Sequence, residues 1–159
     1  MYKREQFLKS PNATEKKIID FIEPILELEK CELIAMQLFN LKSKPLLRLY
    51  LDKISLNEIV SISRNISTAL DVGNAEFNWF DKSYQLELSS PGLNRPLTKK
   101  SHFLAAIGKN IQIKTNIKKI QGVLENMNYE HGLTITGHEL DIGWADILDA
   151  NILSSYPGR

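Results

Sequence analysis

The chain is short of cysteine, of long apolar runs and of clustered glycine, and each shortage narrows what it can be. Cys31 is the only cysteine in 159 residues, which excludes an intrachain disulfide and leaves no basis for a thiolate metal cluster. It reads as a buried structural thiol. The opening stretch, MYKREQFLKSPNATEKK, alternates charge with polarity and holds no apolar run as long as a signal peptide or membrane helix requires. A cytoplasmic protein without membrane association is therefore expected. None of the eight glycines forms a phosphate-binding loop or the GxxG clamp by which some RNA-binding domains hold single-stranded backbone.

The scarcest property is local. Between Glu87 and Glu125 there is no acidic residue, while Arg95, Lys99, Lys100, Lys109, Lys114, Lys118 and Lys119 all fall there. Afterwards Glu125, Glu130, Glu139, Asp141, Asp146 and Asp149 stand against a single Arg159, so the net charge of +1 conceals a polarised second half. Lysines at a helix start and in a hairpin could form one positive face for phosphate contacts that position an RNA without reading its bases. A solvated surface kept soluble by lysine is the plainer reading.

With 43% hydrophobic and 25% charged residues the composition is that of an ordinary globular protein, large enough for one large or two small domains. Ile18, Ile22, Ile25 and Leu26 recur at helical spacing from Ala13 to about Lys30, behind a capping box of Asn12 and Glu15. Pro24 predicts a kink, or an end near Glu23. Glu32 to Phe39 and Leu46 to Leu51 read as a strand pair. A second capping box at Ser55 and Glu58 opens a helix bearing Ile59, Ile62, Ile66 and Leu70, expected to stop at Asp71 to Gly73. Trp79 and Phe80 then lead into a strand with Tyr84, Leu86 and Leu88 on one side. This order predicts a three-stranded sheet with both helices on one face.

After Leu97 the pattern shortens. A brief helix near His102 to Ala106 precedes the runs NIQIKT, KIQGVLENM, GLTITG and HELDIGW, with a turn at Trp144 to Leu148 and a closing strand from Ala150 to Ser155. Such spacing predicts a small β-barrel. The fold class is thus α+β, with one domain over residues 1–97 and a barrel domain over 98–159, joined at the elbow SSPGLNRPL.

That elbow carries a resemblance. The run from Leu86 through Ser89, Ser90, Pro91, Gly92, Leu93, Asn94, Arg95 and Pro96 to Leu97 resembles the signature of the RimP family of bacterial ribosome maturation factors. Phe103 with Ile107 to Ile111, Gly122 to Leu124, the closing Asp146 to Ile152, and Leu47 to Lys53 with the following helix are similar to other parts of that family. Two positions depart: the family usually has aspartate at Asn94 and a basic residue at Asp149. The resemblance implies a KH-like α/β domain followed by an SH3-like or Sm-like barrel, no enzymatic activity and no cofactor. It also implies binding to the immature small (30S) ribosomal subunit, with uS12, the small-subunit protein numbered twelve, and nearby 16S rRNA as partners. A monomer is expected.

On the residues alone, Pro91, Gly92 and Pro96 suffice for a rigid interdomain turn. Arg95 is not needed for one, and its planar fork suits phosphate or carboxylate. Ser90, Pro91, Gly92, Leu93, Asn94, Arg95, Lys99, Lys100, Lys118 and Lys119 are the candidate ribosome- or RNA-binding residues. Ser89 or Ser90 with His102 lacks the strand-to-helix setting of a catalytic nucleophile, and His102, His131 and His138 lack the spacing of a metal helix. Surface or capping roles fit them better. The alternative to a ribosome assembly factor is a stand-alone RNA-binding protein or a protein-interaction adaptor. For Trp79 and Phe80, core packing is a simpler role than base stacking.

Overall fold

A computed structural model describes residues 5–80 and 83–154, which divide between two compact units: residues 11–91, and residues 5–10 with 92–154. Ser155, the expected end of the closing strand, and Arg159 lie outside the described residues. The units part between Pro91 and Gly92, earlier than the boundary expected after Leu97, because Gly92 to Leu97 and the first residues of the chain both join the second unit.

In the first unit, α1 (Ala13–Leu28) opens on the expected capping box: the Glu15 amide donates to Asn12 Oδ1 at 2.8 Å and the Asn12 amide to Glu15 Oε1 at 3.4 Å. The helix does not end near Glu23. It runs through Pro24, because Ile18, Ile19, Ile22 and Leu26 are buried on both sides of the proline. Four such side chains at about 1.5–3 kcal/mol each outweigh the roughly 3 kcal/mol that an interior proline costs.

Helix α2 (Ile59–Phe77) departs from expectation at both ends. No side chain caps its start; the Ser55 carbonyl accepts from the Glu58 and Ile59 amides at 3.1 and 3.2 Å instead of the Ser55 hydroxyl forming a box. Its end lies past Gly73, at Asn78 in the left-handed conformation (φ 50°, ψ 51°). Gly73 is buried within the helix, and a Cβ there would overlap the Trp79 ring. Glycine serves packing here, since Phe21 and Phe77 hold that ring edge-on and stacked at 5.3 and 5.8 Å. Trp79 and Phe80 are thus packing residues, with Phe80 5% exposed.

Strands β1 (Glu32–Asn40), β2 (Pro45–Asp52) and β3 (Gln85–Ser89) form a sheet in the order β1-β2-β3, antiparallel then parallel, with α2 as the crossover. Leu47, Leu49 and Leu51 alternate into the core, and a register shift between Leu33 and Ala35 lets Leu33 and Ile34 both be buried. Helix α1 packs on α2 and β1, and α2 on β3.

In the second unit, α3 (Lys100–Ala105) precedes β4 (Asn110–Thr115), β5 (Lys119–Asn128), β6 (Gly132–Ile135) and β7 (Ile147–Ile152), an antiparallel sheet ordered β6-β5-β4-β7. The HELDIGW run is not a strand. Its one pairing is an isolated bridge in which Leu133 and Ile142 exchange two 2.8 Å backbone hydrogen bonds. Gly132 (φ 135°) is required beside it, because the Ile142 carbonyl occupies the space of a Cβ. The turn expected at Trp144 to Leu148 is a 3-10 turn over Trp144–Asp146, so β7 starts at Ile147 rather than Ala150. Leu97, Phe103, Ile111, Ile113, Leu124, Leu133 and Ile135 form the core, against which Leu8 and Trp144 pack.

Candidate functional site

The elbow is two pieces of structure in sequence. Ser89 ends β3, and the Ser89 hydroxyl donates to the Ser90 carbonyl at 3.1 Å. Gly92 (φ 72°) turns the chain in open space, and Leu93 beyond it is 70% exposed. From Arg95 to Leu97 the backbone runs antiparallel to β7: the Ile152 amide donates to the Arg95 carbonyl and the Leu97 amide to the Ala150 carbonyl, both at 2.9 Å. Pro96 faces Asn151 between those bonds, where an antiparallel ladder needs no N–H from it. Arg95 and Pro96 are therefore compatible with a strand-like ending, and Leu97 enters the core at 3% exposure.

Lys100 and the pair Lys118 and Lys119 stand at opposite ends of one strand. Lys99 is 9% exposed, and its ammonium lies 4.8 Å from the centre of the Phe7 ring. Lys100 donates to the Tyr129 carbonyl at 2.7 Å and lies over Trp144 at 5.4 Å, next to the β5–β6 turn. His102 caps α3: its Nδ1 accepts from the amides of Thr98 and Lys99 at 3.1 and 3.2 Å. Lys118 and Lys119 are exposed at the opposite end of β5, a strand of ten residues and so about 30 Å away along it. Thr115 shapes that turn, its hydroxyl accepting from the Lys118 amide at 3.2 Å and donating to the Lys118 carbonyl at 3.0 Å. Lys114 is exposed and stands across the sheet from Lys119 on one side and Asp149 on the other.

Beside the turn is a cleft of about 470 Å³, walled by Ile117, Lys118 and Ile120 and by Glu139, Leu140 and Asp146. Ile117 is 91% and Leu140 82% exposed. The pattern of brief strands did not disclose this pairing of a basic turn with an acidic loop, because it arises from the 137–142 segment being a loop instead of a strand.

Residues 21–94 match the family model of the RimP N-terminal domain, from within α1 through β3 to Asn94 of the elbow. The match spans 74 of the 159 residues and supports membership of the RimP family. RimP proteins are ribosome maturation factors. Against that family, the departure at Asn94 keeps its hydrogen bonds: Asn94 Oδ1 accepts from the Ser154 amide at 3.1 Å and the Ser154 hydroxyl at 3.2 Å, work that a carboxylate oxygen would do equally. The departure at Asp149 places an acid beside Lys114 where the usual RimP residue would add a cation. The sequence pattern does not disclose one feature. Residues 5–10 belong to the second unit, with the Leu8 amide donating to the Thr98 carbonyl and the Ser101 amide to Glu5 Oε1, each at 2.8 Å. Phe7 and Leu8, an apolar pair inside a charged opening, were the available signal.

Proposed function

We propose that this chain is a non-enzymatic assembly factor that binds the immature small ribosomal subunit in the cytoplasm as a monomer, touching uS12 and neighbouring 16S rRNA, and promotes the subunit's maturation. In this reading residues 11–91 are a KH-like unit and the second unit is an SH3-like or Sm-like barrel. The observation that carries it is the match of residues 21–94 to the RimP N-terminal domain. No helix among the described residues is long and apolar enough to cross a membrane. Ser90, Pro91, Gly92, Leu93, Asn94 and Arg95 are the docking motif, with Leu93 as its exposed apolar tip. Lys118 and Lys119 supply phosphate contacts, being exposed on a shaped turn. Lys99 and Lys100 are further candidate RNA contacts, their ammonium groups also lying against Phe7 and against Tyr129 and Trp144.

The test is co-sedimentation with small subunits as salt is varied. Removing one lysine–phosphate interaction should lower the slope of log affinity against log salt by about 0.7–0.9, so Lys118→Gln with Lys119→Gln should weaken binding and flatten the slope. Arg95→Ala should weaken it, and Arg95→Lys should not fully restore a bidentate interaction. Equal slopes for wild type and the double variant would exclude these lysines from the RNA interface. A second reading, a protein-interaction adaptor, is favoured by the cleft, whose exposed Ile117 and Leu140 and acidic Glu139, Asp141 and Asp146 suit a basic protein segment. In that case Leu93→Ala or Leu140→Ser would lower affinity for small subunits, whereas Lys118→Gln with Lys119→Gln would not.

A further inference from the structure

The three-stranded sheet of residues 11–91 has a second face, opposite its leucine core, that the elbow motif does not use. Register places Gln37, Arg48 and Glu87 in one row across it, Phe39, Leu46 and Gln85 in the next, and Ala35, Tyr50 and Ser89 in a third. These positions alternate with the core residues Leu47, Leu49 and Leu51, and unlike them they keep solvent exposure: Gln37 and Gln85 are exposed, and Phe39, Arg48 and Tyr50 are partly so.

The face is held in order by its own interactions. Arg48 Nε donates to Glu87 Oε1 at 3.0 Å and Nη2 to Oε2 at 3.4 Å, which fixes the guanidinium plane. That guanidinium lies 5.2 Å from the centre of the Phe39 ring. The Tyr50 hydroxyl donates to Gln37 Oε1 at 3.1 Å. Between Glu32 and Asp52 the chain has no acidic residue but carries Lys42, Lys44 and Arg48, and both lysines sit in the β1–β2 connection at the Phe39 end of the sheet. Glu87 is the acid on the face itself, and it is matched by Arg48, so the lysines give that end its net positive charge.

Flat π-systems, an oriented guanidinium plane, amide groups and a basic rim together suit one class of ligand. We propose that this sheet face is a stacking platform for unpaired RNA nucleotides: one base stacks on the Phe39–Arg48 pair and a neighbouring base on Tyr50, the amides of Gln37 and Gln85 reach base edges, and Lys42 and Lys44 hold the adjoining phosphates. A duplex keeps its bases stacked inside and offers this flat face only its backbone, so single strands are the expected occupant. The site is separate from the turn lysines of the second unit and does not depend on them.

Fluorescence anisotropy of the full chain with a labelled, unstructured ten-nucleotide RNA tests this, with a duplex of the same length as competitor. Wild type should bind the single strand at least about tenfold more tightly than the duplex. Phe39→Ala should weaken single-strand binding by roughly 5- to 150-fold, the range observed when one base loses its stacking partner. Lys42→Gln with Lys44→Gln should flatten the salt slope by about 1.4, at about 0.7 per phosphate on single strands. Lys118→Gln with Lys119→Gln should leave this binding unchanged. Because Phe39→Ala could perturb the sheet, Phe39→Trp is the control: it keeps a ring and should keep affinity. The proposal is overturned by equal binding of duplex and single strand, by no single-strand binding, by wild-type affinity in Phe39→Ala, by loss of affinity in Phe39→Trp with its melting transition intact, or by loss of binding in the Lys118 and Lys119 variant. Preferential capture of a protein with no RNA affinity would likewise replace it.

Discussion

Two residues show how local chemistry is set by neighbours far along the chain. Gly73 lies against the Trp79 ring, itself held by Phe21 and Phe77. Gly73→Ala gains about 1 kcal/mol of helix propensity but must displace a packed ring, which costs typically 1–3 kcal/mol. The expected net result is a lower melting temperature together with altered tryptophan fluorescence, and an unchanged or raised melting temperature would show that the ring moves freely. Cys31 is half-buried, its thiol 3.5 Å from the Glu29 carbonyl. Burial, then the carboxylates of Glu58, Glu29 and Asp52, push the thiol pKa up. Since the thiolate is the nucleophile, alkylation by iodoacetamide near pH 7.5 should be slower than for a free cysteine peptide, and the two rates should converge only as pH rises well into the alkaline range. A rate equal to the peptide's at neutral pH would contradict this environment.

At the scale of elements, the elbow is a strand partner as well as a turn. Asn94 closes the register of Arg95–Leu97 on β7 by binding Ser154. Asn94→Ala should cost about 1 kcal/mol of stability, the ordinary worth of such hydrogen bonds, whereas Asn94→Asp should cost less because the acceptor oxygen is kept. Chemical denaturation of the two variants measures this, and equal destabilisation would show that the amide nitrogen, not the oxygen, matters. The helices make a related point. The Asn12 and Glu15 box forms, because a cap joins residues only three apart. The Ser55 box does not form, because Ser55 joins the first turn through its carbonyl, and α2 ends at left-handed Asn78 while Gly73 packs against Trp79 inside the helix.

For the whole molecule, residues 5–10 link chain start to second unit. Leu8 packs on its core, Glu5 accepts from Ser101, and Phe7 lies under Lys99. A fragment of residues 92–159 should therefore be less stable than the same fragment with residues 1–10 fused through a flexible linker, by roughly 1–3 kcal/mol for one partly buried leucine and its backbone bond. Thermal melts of both decide it, and identical transitions would mean that the segment is dispensable. What sequence by itself determined were the strand and helix periods, the first capping box, the α+β order and the elbow motif, all of which depend on residues close together in the chain. Three things were decided only by tertiary structure. Pro24 stays helical because its neighbours on both sides share one core. Lys100 and the Lys118–Lys119 pair separate because Lys100 binds Tyr129 at one end of β5 and the pair stands at the other. Phe39, Arg48 and Tyr50 meet because strand register, set by long-range pairing and a bulge at Ile34, puts them on one face. Each of these rests on interactions between residues distant in sequence, whose free energy no local pattern records.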